Sequence, residues 1–176
     1  MIALLLACAP SIAPDTGETG SDAGPFIVDG TMTIDATHEE DWVYVDLDGA
    51  ALVQAGDPSW DLRFRRYIVA LNGGVSGEGV VEATVLDGQD FDGLTQAPAD
   101  GYVTDLADAD EDGTPEYALL TWYDYDFTTH VLTPAQKVYV IHTGDDAYFK
   151  LRFDSYYDDV GTPAMLQTSV AAIDAP

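Results

Sequence analysis

Apolar and polar positions alternate along most of the chain with a period of two, the pattern of strands that bury one face. The segment "DWVYVDLDGA" sets Trp42, Tyr44 and Asp46 against Val43, Val45 and Leu47. In "WDLRFRRYIVAL", Trp60, Leu62 and Phe64 share one face while Asp61, Arg63 and Arg65 share the other. Arg66 breaks this alternation and reads as a bulge. "FIVDGTMTIDAT" alternates less regularly, and "GVVEATVLD", "YALLTWYDYD", "KVYVIHT", "AYFKLRFDSYY" and "MLQTSVAAI" complete the series. β-branched and aromatic residues dominate these runs, with Gly, Asp, Asn and Pro between them. No helical stripe emerges; a short helical turn is expected within "FDGLTQAPADGYVTDLA". The expected fold is all-β, mostly antiparallel, over residues 26–176.

Two turns can be read more closely. Asn72-Gly73-Gly74 is a tight-turn signal expected to close a hairpin into "GVVEATVL". Val138–Thr143 and Tyr148–Phe153 flank "GDDA". A two- or four-residue loop pairs His142 with Phe149, whereas a three-residue loop shifts one strand by a residue and exchanges its faces. In both cases His142 shares a face with Val138 and Val140.

The N-terminus is different in kind. "MIALLLACAP" is apolar and ends at Leu5-Leu6-Ala7-Cys8, which is similar to the lipobox at which bacterial lipoproteins are cleaved and lipidated. The basic n-region of such leaders does not precede it. Residues 1–8 are therefore expected to be a lipoprotein signal remnant, with Cys8 as the lipidation site. Residues 9–25, "APSIAPDTGETGSDAGP", are rich in Pro, Gly, Ser, Thr and acids and are expected to form a disordered, flexible linker. Such a tether reaches about 20–25 Å.

Charge narrows the possible partners. Thirty-two acidic residues face six Lys and Arg, giving a formal net charge of −26. This excludes nucleic acid as a partner. Cys8 is the only cysteine, so an intrachain disulfide and CxxC zinc sites are excluded. No apolar run approaches the roughly 18 residues needed to cross a bilayer, so membrane attachment is expected through the lipid alone. GxSxG, HExxH and Walker motifs are missing and no Ser-His-Asp spacing stands out. The chain is not expected to be an enzyme.

Three stretches carry a family resemblance: "WDLRFRRYIVALNGGVSGEG" at 60–79, "TWYDYDFTTHVLTPAQKVYVIHT" at 121–143 and "YFKLRFDSYY" at 148–157. In content, order and spacing they resemble the HmuY family of bacterial haem-binding lipoproteins, over roughly Gly30 to Ala171. The resemblance implies a β-rich lipoprotein at the bacterial outer membrane, facing the exterior or the periplasm. It further implies capture of haem or a related porphyrin for iron acquisition, and transfer to an outer-membrane transporter. Haem iron takes His or Met as axial ligands. The candidates here are His130, in "DYDFTTHVLTP" beside Tyr123, Tyr125 and Phe127; His142, at a strand end; and Met165. His38 ranks last because Glu39, Glu40 and Asp41 surround it. Arg63 and Arg65, about 7 Å apart on one strand face, are candidates for pairing the propionates.

A second candidate site lies in "DADEDGTPEY". Asp108, Asp110 and Asp112 precede Gly113 in the spacing that opens a calcium loop; Thr114 and Glu116 could add oxygens. Leu119 stands where an EF-hand has its bidentate Glu, so the expectation is a shorter calcium loop. The alternative to haem capture is a non-catalytic structural or adhesive surface module of the same fold, calcium-stabilised and without haem.

Overall fold

The computed structural model describes residues 27–28 and 30–176; the lipobox cysteine Cys8 and the linker at 9–25 lie outside them. Twelve strands follow in chain order: β1 (Ile27–Val28), β2 (Thr31–Asp35), β3 (Val43–Asp46), β4 (Ala51–Val53), β5 (Leu62–Arg65), β6 (Ile68–Leu71), β7 (Glu82–Asp87), β8 (Tyr123–Asp126), β9 (Val131–Pro134), β10 (Lys137–His142), β11 (Tyr148–Tyr157) and β12 (Pro163–Ile173). They form a six-stranded sheet in the order β1-β2-β12-β11-β10-β7, a four-stranded sheet in the order β4-β3-β5-β6, and the separate hairpin β8-β9. Every pairing of named strands is antiparallel. The all-β antiparallel expectation holds.

The period-two pattern builds the core directly. Met32 and Ile34 of β2 are buried while Thr31, Thr33 and Asp35 face water. Ala164, Leu166, Thr168 and Val170 of β12 are buried in the same way. Leu62 and Phe64 of β5 point inward from the second sheet, joined by Val45, Val69 and Leu71. The inner faces of the two sheets thus share one apolar cluster, which Tyr139, Ile141, Leu151 and Phe153 complete. Trp122, in a 3-10 turn at Leu120–Trp122, is wholly buried within it. Its ring stacks on Phe153 at 4.5 Å, and its indole N–H donates to the Tyr67 carbonyl at 2.8 Å, tying the β5–β6 turn to the six-stranded sheet.

Three local expectations change, and one open choice is decided. Arg66 is not a bulge within one strand: Arg65 pairs with Ile68, so Arg66 and Tyr67 form a two-residue turn, with Arg66 at φ 55°. The Arg66 amide donates to the Ala36 carbonyl and its Nη1 to the Thr37 carbonyl, both at 2.9 Å, which offsets the left-handed strain. Asn72-Gly73-Gly74 does not close a hairpin; it begins a crossing from β6 to β7, which lie in different sheets. Asn72 organises that crossing by donating to the Trp60 carbonyl at 2.8 Å and accepting the Gly79 amide at 3.0 Å. Gly74 sits at φ 61°, where any Cβ would also strike the Asp105 carbonyl, so glycine is required there.

The "GDDA" turn takes the three-residue option. The Thr143 amide donates to the Ala147 carbonyl at 2.9 Å and Asp146 adopts φ 63°. His142 therefore pairs with Tyr148, and Ile141 with Phe149. Finally, "FDGLTQAPADGYVTDLA" contains no helical turn. It runs in turns and isolated bridges across the outer face of the six-stranded sheet, with Ala83 bridging Val103 and Gln96 bridging Asp174. Lys150, nine-tenths buried, fastens it by donating to the Phe91 and Leu94 carbonyls at 2.7 and 3.0 Å.

Candidate functional site

The β8–β9 hairpin forms a sheet of its own, anchored at its base by Tyr123 and Leu132, which pack on the core. The Leu132 amide also donates to the Tyr157 hydroxyl at 3.1 Å. Its turn is set by Asp126, whose carboxylate accepts the Thr128 amide at 2.7 Å; that bond holds the carboxyl below its usual range. The His130 amide closes on the Asp126 carbonyl at 2.8 Å and His130 takes φ 59°. Phe127 projects at the tip, 83% exposed, edge-on to Tyr125 at 5.0 Å. The Tyr125 hydroxyl meets His130 Nδ1 at 2.6 Å. No protein group engages His130 Nε2 among the described residues. If Nδ1 carries the proton, the phenol oxygen accepts it and Nε2 presents its lone pair. Beside the hairpin lies a groove of about 720 Å³ lined by Tyr123, Tyr125, Phe127, Leu120, Thr121 and Lys137, among others. Ligand pockets commonly run about 300–1,000 Å³.

His142 occupies the opposite end of β10 from Lys137, so about 17 Å of strand separates it from this groove. Both of its ring nitrogens are taken, Nδ1 by Glu82 at 3.1 Å and Nε2 by Asp146 at 2.9 Å. The ring stacks on Tyr148 at 4.4 Å with planes 1° apart. Burial alone lowers its pKa; the bonds to Asp146 and Glu82 outweigh burial and raise it. The three-residue turn is what carries Asp146 back onto the ring. Met165 lies on β12 opposite Asp35, half-buried and directed away from the core side of the sheet. Met32 is buried inside the core, and His38 is exposed, with Nδ1 3.0 Å from Asp41. The structure thus brings His130 onto Tyr125, which with Tyr123 and Phe127 lines the groove; neither His130 nor His142 is itself among the residues lining it.

Arg63 and Arg65 share the outer face of β5, as the alternation required. Each guanidinium lies 4.4 Å from the Trp42 ring centroid, and Arg63 is also 5.3 Å from that of Trp60. The groove containing Arg63 is lined by Tyr44, Trp60, Asn72 and Gly77 and is separate from the hairpin groove.

Two acidic groups have carboxylate oxygens mutually within 4.8 Å. One is Asp108, Asp110 and Glu116. Within that loop Asp108 accepts the Asp112 and Gly113 amides at 3.1 and 2.8 Å, and the Asp112 carboxylate turns to the Thr114 amide and hydroxyl. The other is Asp46, Asp48 and Asp61, which the sequence reading did not assemble because Asp61 comes from a different strand segment. Asp61 is 3% exposed and its pKa is pushed up to about 7, chiefly by burial, although it accepts the Leu47 amide at 2.8 Å.

These features define a class: a two-sheet antiparallel β protein with a projecting aromatic hairpin beside an open groove. Within that class the chain belongs to the HmuY family, whose model, HmuY protein, matches residues 38–168. Several solved structures are similar, among them the following three. A Tannerella forsythia apo HmuY analog is 17% identical, with a TM-score of 0.63 over 81% of this chain and 94% of that one. A candidate lipoprotein from Bacteroides fragilis is 24% identical, TM-score 0.61, over 80% and 88%. A candidate HmuY-like haem-binding protein from Bacteroides vulgatus is 22% identical, TM-score 0.60, over 80% and 89%. No curated protein matches the chain.

Proposed function

We propose that this chain is a haem-binding lipoprotein and that the β8–β9 hairpin is its haem clasp. The carrying observation is His130: Tyr125 holds its Nδ1, no group among the described residues engages its Nε2, and Tyr125 links it to Phe127 and to the groove of about 720 Å³ that both aromatics line. Haem iron takes a neutral imidazole as an axial ligand, and a hydrogen bond to the other ring nitrogen orients it. Tyr123, Tyr125 and Phe127 offer the flat apolar surface that a porphyrin ring packs against. His142 fits this role poorly, because carboxylates engage both of its ring nitrogens and favour its charged form. His130 is therefore the one histidine proposed as ligand. Membership in the family and the likeness to a candidate haem-binding protein support the reading. Lipidation at Cys8, attachment to the outer membrane and delivery to a transporter there complete the proposal; the likeness to a candidate lipoprotein supports the first of these.

Hemin titrated into the purified domain should give a shifted Soret band that saturates at one-to-one. His130→Ala should weaken binding by at least about tenfold, and His142→Ala should leave the band in place. A normal band in His130→Ala removes the ligand assignment. If the native chain never shifts the band, the adhesive or structural module without haem is the better account.

A further inference from the structure

The arginines of β5 are in an unusual electrostatic position for so acidic a chain. Of the six basic side chains, Lys137 pairs with Asp87 at 3.7 Å and Arg152 with Asp154 at 2.7 Å. Lys150 and Arg66 are held by backbone carbonyls. Among the described residues, Arg63 and Arg65 have no carboxylate within 4.0 Å and their side chains donate no hydrogen bond to protein. Instead both guanidiniums pack on one indole, that of Trp42, and the Nε of Arg63 is buried without an acceptor. Two cations on one ring repel each other, and the ring quadrupole offsets that only in part.

Nearby acids make no ion pair with them. Asp105, whose charge is felt at Arg63, is fully buried and accepts the Leu71 and Ala118 amides, both at 2.9 Å. Asp57 and Glu78 line the groove beside Arg63, and Glu40 and Asp41 the groove beside Trp42, without reaching either guanidinium within 4.0 Å. Tyr117 lies within the field of both arginines. The two grooves, about 490 and 500 Å³, share Tyr44, which Trp60 meets edge-on at 5.4 Å. The result is a patch with two unmatched planar cations, three aromatic rings and an acidic rim.

We propose that Arg63 and Arg65 form a seat for a small ligand that bears one or two carboxylates on a planar apolar body, with Trp42 and Tyr44 taking the body. The site is separate from the hairpin groove and does not depend on haem binding there. Arg favours carboxylate because its planar fork matches the two oxygens, and a half-buried setting strengthens the bond. The rim acids and the net charge of −26 select against a polyanionic chain and leave a compact mono- or dianion. Haem propionates carry the same chemistry, so the test must separate the two sources.

Phthalate is a suitable probe, followed by calorimetry and by quenching of tryptophan fluorescence, with neutral dimethyl phthalate as control. The native chain should bind phthalate saturably at one-to-one and ignore the diester. Arg63→Gln and Arg65→Gln should each weaken binding about tenfold or more, with near-ultraviolet dichroism unchanged; Arg63→Lys should recover only part of it. His130→Ala should lose hemin yet keep phthalate. Non-saturable quenching, an equal response to the diester, or undiminished affinity in both Gln variants overturns the proposal. So does a chain that never binds phthalate but whose Gln variants lose hemin, since the pair would then serve propionates. Should the Gln variants unfold, competition between diacid and diester on the native chain decides.

Discussion

Trp122 concentrates several stabilising interactions in one side chain. It is fully buried, stacked on Phe153, and hydrogen-bonded through its indole to the turn of the other sheet. Trp122→Ala should cost about 3–5 kcal/mol and lower the melting temperature by roughly 10 °C, read by calorimetry. Asp61 makes the opposite kind of contribution. Its folded pKa, pushed up to about 7, exceeds the ordinary carboxyl value of 3.8, so the folded state holds the proton more tightly. Stability tied to Asp61 is complete below about pH 4 and is lost as the pH rises to about 7, by roughly 4 kcal/mol at most. His142 acts in the same sense: its raised pKa adds stability below about 6.5 that disappears as the ring deprotonates. Asp61→Asn keeps an oxygen for the Leu47 amide and removes the charge. Urea midpoints at pH 5 and pH 8 should differ less in this variant than in the native chain; an unchanged difference would mean that Asp61 does not titrate in this range.

At the scale of elements, two loops built from similar acids behave differently. The β8–β9 turn uses Asp126 to cap its own backbone, leaving the aromatic tip outside. In the loop around Asp108, Asp110 and Glu116 the carboxylates converge, with Asp108 bound to the Asp112 and Gly113 amides. The calcium expectation is retained as a proposal for this loop. Millimolar calcium should raise the melting temperature of the native chain, and Asp108→Asn should abolish the rise. No shift in the native chain, or an equal shift in the variant, ends that proposal. The hairpins also show how far pattern carries. Alternation located β3 and β5, where one-sided burial forces period two, and runs of β-branched and aromatic residues located β2, β7, β10, β11 and β12; β10 is buried on both faces, with Val138, Tyr139, Val140 and Ile141 all inside. Neither signal located the reversal at Arg66–Tyr67, where two hydrogen bonds from Arg66 stabilise a left-handed residue that carries no turn signal of its own.

For the molecule as a whole, a net charge of −26 on one small body means that folding gathers like charges. Raising sodium chloride from about 0.1 to 1 M shortens the screening length from roughly 10 to 3 Å. The melting temperature should rise by several degrees across that range, and a fall would point to ion pairs outweighing repulsion. What the sequence determined by itself is the all-β class, the inward face of Leu62 and Phe64 with Arg63 and Arg65 outward, the family, and the closeness of His130 to Tyr125. These follow from period two, turn chemistry and neighbours close along the chain. The tertiary structure decided the rest. Residues far apart in sequence meet only after the sheets pack, so it alone placed Glu82 against His142, Asp61 beside Asp46 and Asp48, and Trp42 under two arginines. A three-residue turn, one residue away from the alternatives, chose which carboxylate reaches Nε2 of His142.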